Sequence, residues 1–370
     1  MGISEGNLET SGGILTIDLD ELARNWRRLK SRLNGADCGA AIKADAYGLG
    51  AERATVTLTK AGCKEFFVAL IDEGIKLRRV LDDAELDANI HVLGGPMNAR
   101  RDIIEHQLIP VLNSLSDIEV WKKHHPDSPA DIHVDTGMLR LGLAPDEIEI
   151  LKGDADLTKG LNISHILSHL ACAEDSETSM NKEQLETFRR ALNLFPGCKA
   201  SFANSSGIFL GDKYHFDLAR PGVALYGSNP TPGEPNPMAQ VVKLQGKILQ
   251  VRDVARPQSV GYGATHRIEQ NGRIATVGVG YADGYLRSLS SCGVGFLGDI
   301  RVPLVGRVSM DLITFDVSDV PEGLAHPGAL IDLIGPNNPV DDVAQTAGTI
   351  GYEILTSLGS RYHRVYKGGP

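Results

Sequence analysis

Residues 40–50 read Ala-Ala-Ile-Lys-Ala-Asp-Ala-Tyr-Gly-Leu-Gly, an apolar run that ends on Lys43 and gives way to a turn holding Tyr47, Gly48 and Gly50. Taken alone, a lysine in that place is most simply a side chain snorkelling out of a strand end. Its neighbours shift the reading. A hydroxyl four residues on, with two glycines to relax the backbone, suits an anion met by Tyr47 and by peptide N–H groups. Upstream, Leu22, Trp26, Leu29 and Leu33 share one helical face with charges between them. Downstream, the opening run 39–43 is followed by further strand-like runs at 66–70, 90–93, 109–112, 132–134, 163–167, 200–203 and 216–218, with helical stretches such as 72–80, 99–105 and 182–194 in the gaps. Eight strands alternating with helices imply an α/β fold, a (β/α)8 barrel, with a doubly wound sheet as the competing topology.

The pattern changes at 227–237 (GSNPTPGEPNP), a Pro- and Gly-rich linker. Beyond it come β-like runs at 241–251, 273–281, 293–296, 302–308 and 312–317, then a helical piece at 343–357. The expected organisation is a barrel over 14–230 and an all-β domain over 238–370, against which residues 1–13 pack. The apolar run 14–17 reads as a strand open to either domain.

Composition sets outer bounds. Hydrophobic residues at 42% and charged residues at 23% are ordinary for a globular chain of 370 residues. No run of about 18 apolar residues occurs, which excludes a membrane-spanning helix, and the polar, acidic N-terminus is unlike a signal peptide. The five cysteines are scattered without CxxC spacing, which argues against a disulfide framework or a structural zinc site and for a reducing cytoplasm. A net charge of −10 disfavours nucleic acid as a partner.

In a barrel, the loops after the strand C-termini build the active site. Polar residues recur there: Lys43; Arg140 in HVDTGMLRLG (133–142), able to bind a carboxylate in bidentate fashion; Ser168 and His169; Asn204, Ser205 and Ser206 beside Gly207; and Arg220 and Gly222 in ARPGVALYG (219–227). Each alone is more simply a surface or structural residue, and only their pooling at five strand ends points to a site.

These segments, with GYGAT (261–265), VGYADGY (279–285) and GRVSMD (306–311), resemble those of the alanine racemases, in the family's order and over nearly the whole chain. The resemblance implies a pyridoxal 5′-phosphate (PLP) enzyme that interconverts L- and D-alanine, with no metal. It implies a homodimer in which each barrel site takes residues from the other subunit's β domain. Lys43 then matches the lysine that holds PLP covalently and later acts as one acid/base, and Tyr262 the opposite-face base from the partner chain. Arg140 matches the arginine on the substrate side, Met310 a residue giving a backbone contact to substrate, and Tyr281 the tyrosine that narrows the entrance. Tyr47, Ser205, Gly222, Val223 and Tyr352 match the phosphate-binding set. His169 and Asn204 belong to the shell around the ring, and Arg220 hydrogen-bonds the pyridine nitrogen.

Two departures from the family stand out. Where many members have a lysine converted to a carbamate that orients the arginine, this chain has His133, so Arg140 is expected to be held by a small anion or another polar side chain. Three residues before Asn204, some relatives have histidine where this chain has Ser201.

Racemisation needs proton removal on one face of Cα and delivery on the other, which two bases do most simply. Tyrosine is a weak base, so a neighbouring cation has to favour its phenolate, a task within reach of Arg140 or His169. Arginine is effectively always protonated and can only donate. At the pyridine nitrogen it leaves that atom without its own proton, a weaker electron sink that favours return of the proton to Cα over transamination. Rival readings are a decarboxylase of basic amino acids, disfavoured by Arg220 where an acid is expected; a single-barrel PLP-binding homeostasis protein, disfavoured by the second domain; and a racemase of another small amino acid such as serine.

Overall fold

The computed structural model describes residues 8–255 and 257–369. Nine parallel strand segments form one sheet whose order follows the chain around a ring, which is a barrel and not a doubly wound sheet. Nine segments make eight staves because Asp37–Cys38 and Ala40–Ala41 are two pieces of one run. The first piece pairs with Leu218–Ala219 and the second with Glu65–Val68, which closes the sheet. The kink falls at Gly39, where a Cβ would lie 2.8 Å from the Glu65 carbonyl oxygen. Between the closing staves run Asn89–Val92, Ile109–Leu112, Ala130–His133, Ile163–Leu167 and Lys199–Ser201, within a few residues of the expected runs.

Helices cover the outside. Leu19–Ser31 is capped by Asp18, whose carboxylate accepts from the Glu21 N–H at 3.0 Å, and buries Leu22, Trp26 and Leu29. The other expected helices appear as Ile71–Asp83, Arg100–Glu105 and Ser179–Leu192.

The second sheet has eight strands. Its centre is the long strand Val242–Val254, and the strand Gly13–Asp18 joins it antiparallel on one side while pairing parallel with His363–Lys367 on the other. Gly13–Asp18 is therefore part of the second sheet, and the barrel's share of the chain begins at Leu19 and not at residue 14. The local sequence could not decide this, because Leu15 and Ile17 are fully buried and suit either sheet. Three further β features were not legible: Leu330–Ile334, His363–Lys367 and the hairpin of Gln258–Val260 with His266–Ile268. Each strand is only three to five residues long, so alternation is too brief to register. The helical piece is two helices, Val340–Ala347 and Gly351–Ser357, separated at Gly348 with φ +71°.

The linker is pinned and not loose. Asp341 accepts from the Asn229 N–H at 2.9 Å and from the Ser228 hydroxyl, and Asn236 Nδ2 donates to the Gly227 carbonyl at 2.9 Å. Asp341→Ala leaves a buried hydroxyl and an N–H without their acceptor. It should lower unfolding stability by about 1–3 kcal/mol in chemical denaturation, with the helical circular dichroism signal unchanged.

Candidate active site

Four consecutive residues after Lys43, Ala44 to Tyr47, have φ between 53 and 56°. Left-handed backbone in residues carrying a Cβ costs roughly 1–2 kcal/mol each, so the turn persists only because its surroundings impose it. Glu73 does much of this: Oε1 accepts from the Ala44 N–H at 2.6 Å, and Oε2 from the N–H groups of Ala69 and Leu70 at 2.8 and 3.1 Å. Asp45 Oδ1 accepts from the Ala51 N–H at 2.7 Å. From the second domain, Arg364 Nη1 donates to the Gly48 carbonyl at 2.7 Å and the Tyr366 hydroxyl to the Leu49 carbonyl at 3.0 Å. Gly48 and Gly50 are needed there: at positive φ, their Cβ atoms would lie 2.5 Å from the Leu355 oxygen and 2.1 Å from the Tyr366 oxygen.

The turn delivers Lys43 into a cavity of about 650 Å³ at the strand C-termini. The same cavity is lined by Tyr47, Arg140, His169, Asn204, Ser205, Arg220, Gly222, Val223 and Tyr352, so ten of the expected residues converge there. Burial, then Arg140, lowers the Lys43 pKa, with Glu73 opposing and Arg220 adding to the fall. An amine so placed has more of its nucleophilic neutral form at neutral pH.

Around it, His169 is held well below the usual histidine range by burial and by Arg220, Arg140 and Lys43. It is neutral, so it cannot be the cation that favours a tyrosine phenolate, and Arg140 is left for that task. His133 is pushed down to about 4 by burial and Arg220. Asn113 donates both its Nδ2 hydrogens, to the Leu93 and Val111 carbonyls, so its Oδ1 faces His133 Nδ1 at 2.9 Å. The neutral ring therefore carries its proton on Nδ1 and offers Nε2 as an acceptor. Arg140 itself is exposed, and no hydrogen bond or ion pair engages it among the described residues.

On the opposite wall, Ser205 Oγ accepts from the Gly222 and Ala224 N–H groups at 2.9 and 3.3 Å, locking the seventh strand end to the loop after the eighth. A Cβ at Gly222 would lie 2.2 Å from the Tyr47 hydroxyl. The Tyr352 hydroxyl reaches Glu174 at 3.5 Å, and its ring lies 6.0 Å from that of Tyr47. Asn204 Oδ1 accepts from the Gly207 N–H at 2.9 Å.

This donor set fits PLP. It offers an amine of lowered basicity, a buried Arg220 that can only donate, and a Tyr47–Ser205–Gly222 corner where hydroxyls and glycine allow close approach of a phosphate. Phe67, Met138, Leu141 and Glu174 also line the cavity. Sequence reasoning missed them, since an apolar strand residue such as Phe67, apolar loop residues such as Met138 and Leu141, and a loop glutamate carry no local signal. Among the described residues, one buried group could be taken for a metal centre, His91, Asp131 and His165, and it lies apart from this cavity.

Three expected residues are not brought to Lys43. Tyr262 sits at the tip of the 258–268 hairpin between Gly261 and Gly263, both at positive φ, and is 72% exposed. Tyr281 and Met310 are 42% and 53% exposed, side by side, with the Ala282 N–H donating to the Met310 carbonyl at 3.0 Å. None of the three lines the cavity.

Residues 17–230 match the alanine racemase N-terminal domain and 241–366 the alanine racemase C-terminal domain. The chain is 52% identical over 369 residues to an alanine racemase of Rhodospirillum rubrum, covering 98% of each. Among solved structures, it resembles alanine racemase from Bartonella henselae, which carries covalently bound pyridoxal phosphate, at a TM-score of 0.91 and 41% identity over 96% of this chain and 99% of that one. It likewise resembles the biosynthetic alanine racemase of Pseudomonas aeruginosa, at 0.88 and 32% over 97% and 100%.

Glu73→Ala should release the left-handed turn. The expected result is a loss of about 1–3 kcal/mol in stability together with weaker PLP binding, read by denaturation and by titration of the cofactor's visible band. Unchanged PLP affinity would mean that the turn is held by other contacts.

Proposed function

The chain belongs to the alanine racemase family, and from that premise we propose that Lys43 and Tyr262 are its two opposed bases, with Tyr262 arriving from a second copy of the chain. The reaction is the interconversion of L- and D-alanine, with PLP as cofactor. The observation that carries the assignment of bases is the pairing of a deep, desolvated Lys43 with a Tyr262 held out on a hairpin tip, away from its own barrel.

When bound, PLP withdraws electrons from the substrate and acidifies its Cα–H. The protein's residues do the rest. Lys43 Nζ, its basicity lowered by burial, Arg140 and Arg220, takes or returns the proton on one face of Cα. The Tyr262 hydroxyl serves the other face. Arg140, free of internal partners, has its guanidinium available for the substrate carboxylate and for stabilising a phenolate beside it. Arg220 would meet the ring nitrogen as a donor only, which limits electron withdrawal and favours return of the proton. Tyr47, Ser205, Gly222, Val223 and Tyr352 would hold the phosphate, and His169 and Asn204 would pack around the ring.

The exposed Tyr262, Tyr281 and Met310 support a head-to-tail homodimer with shared sites, and Tyr281 then narrows the way in. A cytoplasmic location accords with five free cysteines. Among the described residues, no helix is long and apolar enough to cross a membrane.

Mixing Lys43→Ala with Tyr262→Phe protein, each expected to be inactive, tests the shared site. Random pairing makes about half the dimers mixed, each with one intact site, so roughly a quarter of wild-type activity should return. No recovery despite subunit exchange seen by mass spectrometry would sink the proposal.

A further inference from the structure

Arg220 is a buried cation with no carboxylate beside it. Nη1 donates to Ser201 Oγ and Nη2 to the Ser168 carbonyl, both at 2.5 Å, and no ion pair engages it among the described residues. The Ser201 hydroxyl gives its own proton to the Leu218 carbonyl at 2.6 Å, so both acceptors are neutral. Burial lowers the Arg220 pKa to about 10, and Asp131 is the group that opposes the fall. A buried charge requires compensation from somewhere.

The compensation gathers around Phe67. The Arg220 guanidinium carbon is 5.8 Å from the centre of the Phe67 ring, and the His91 imidazole stacks on the same ring at 4.5 Å with 16° between planes. His91 is fully buried, with Nδ1 2.5 Å from Asp131 Oδ2 and Nε2 2.7 Å from Glu65 Oε2. Asp131 Oδ1 also accepts from the His165 backbone N–H at 3.1 Å, and the His165 ring meets His91 edge-on at 5.6 Å. Sheet register explains the grouping: Phe67 pairs with His91 across adjacent strands, so both side chains point into the barrel.

This arrangement is not a metal centre. Two ligands of one tetrahedral zinc stand about 3.3 Å apart, given ligand bonds of about 2.0 Å. His91 Nδ1 and Asp131 Oδ2 are closer, at 2.5 Å, and are hydrogen-bonded to each other. Its two carboxylate partners hold the His91 pKa up to about 9 against burial, and Asp131 is held down to about 2 by His91 and His165. With His91 protonated, the triad of Glu65, His91 and Asp131 carries one surplus negative charge, equal and opposite to that of Arg220.

We propose that the Glu65–His91–Asp131 triad, whose His91 stacks on the same Phe67 ring that Arg220 approaches, is the counter-charge of Arg220, and that Asp131 is a positioning residue for the racemisation. The inference rests on Arg220 facing the cofactor ring. A carboxylate in direct contact would take up the guanidinium N–H groups. Contact through the shared Phe67 ring leaves the N–H groups of Arg220 uncommitted to any carboxylate, and Arg220 lines the cavity.

Asp131→Asn and Glu65→Gln each remove the surplus charge, one from the core and one from the half-buried rim, so the rim variant serves if the core variant does not fold. The readouts are the Kd for PLP of the cofactor-free protein and the ratio of pyruvate released to alanine racemised. A merely structural fault slows both reactions together and leaves the ratio alone. Each variant should raise the ratio and the Kd about fivefold. In an Arg220→Lys background the same changes should add less than about 1.5-fold, as expected of groups acting through one another. Wild-type ratio and Kd in the folded variants, where Arg220→Lys alters both, overturn the counter-charge. An unaltered Arg220→Lys overturns the assignment of Arg220 to the ring.

Discussion

Four left-handed residues between Lys43 and Gly48 are a conformation that L-amino acids avoid, and both halves of the chain are engaged in imposing it. Glu73 holds the turn from the barrel, while Arg364 and Tyr366 reach in from the last strand of the second sheet. That strand pairs with Gly13–Asp18, which leads directly into the first barrel helix. The lysine is thus aimed by a circuit through both domains. Neither the barrel nor the β domain is a passive scaffold for the other.

Positive charge converges on the cavity. Lys43, Arg140 and Arg220 face one cavity, and the two histidines beside them are neutral because burial and those same cations penalise protonation. A pocket of this kind suits a phosphate and a carboxylate, the two anionic ends of the cofactor and substrate. His133 contributes no negative charge to hold Arg140, unlike a carbamate. Its Nδ1 proton is committed to Asn113, so a lone pair is what remains.

Much of the barrel was legible because its strands are buried on both faces and stand out as short apolar runs between amphipathic helices. Most of the candidate site was legible for a related reason: polar residues at strand ends, such as Lys43, Arg140 and Arg220, interrupt that pattern. Phe67 and Glu174 were not, since an apolar residue in an apolar strand and a glutamate in a loop break no pattern. Tyr262 was found by resemblance alone. Its hairpin is three residues paired with three, too short and polar to read.

The sequence by itself determined most of the barrel's strands and helices, the place of Lys43 at a strand end, and which family the chain joins, because these depend on local periodicity and on residues next to one another. Tertiary structure alone decided three matters. It assigned Gly13–Asp18 to the second sheet, since pairing partners more than 200 residues away outweigh a pattern that fits either sheet. It made His133 and His169 neutral, since their protonation depends on cations brought close only by folding. It brought Glu65, His91 and Asp131 together beside Phe67, because three separate strands meet inside one barrel, where a buried charge must find its opposite.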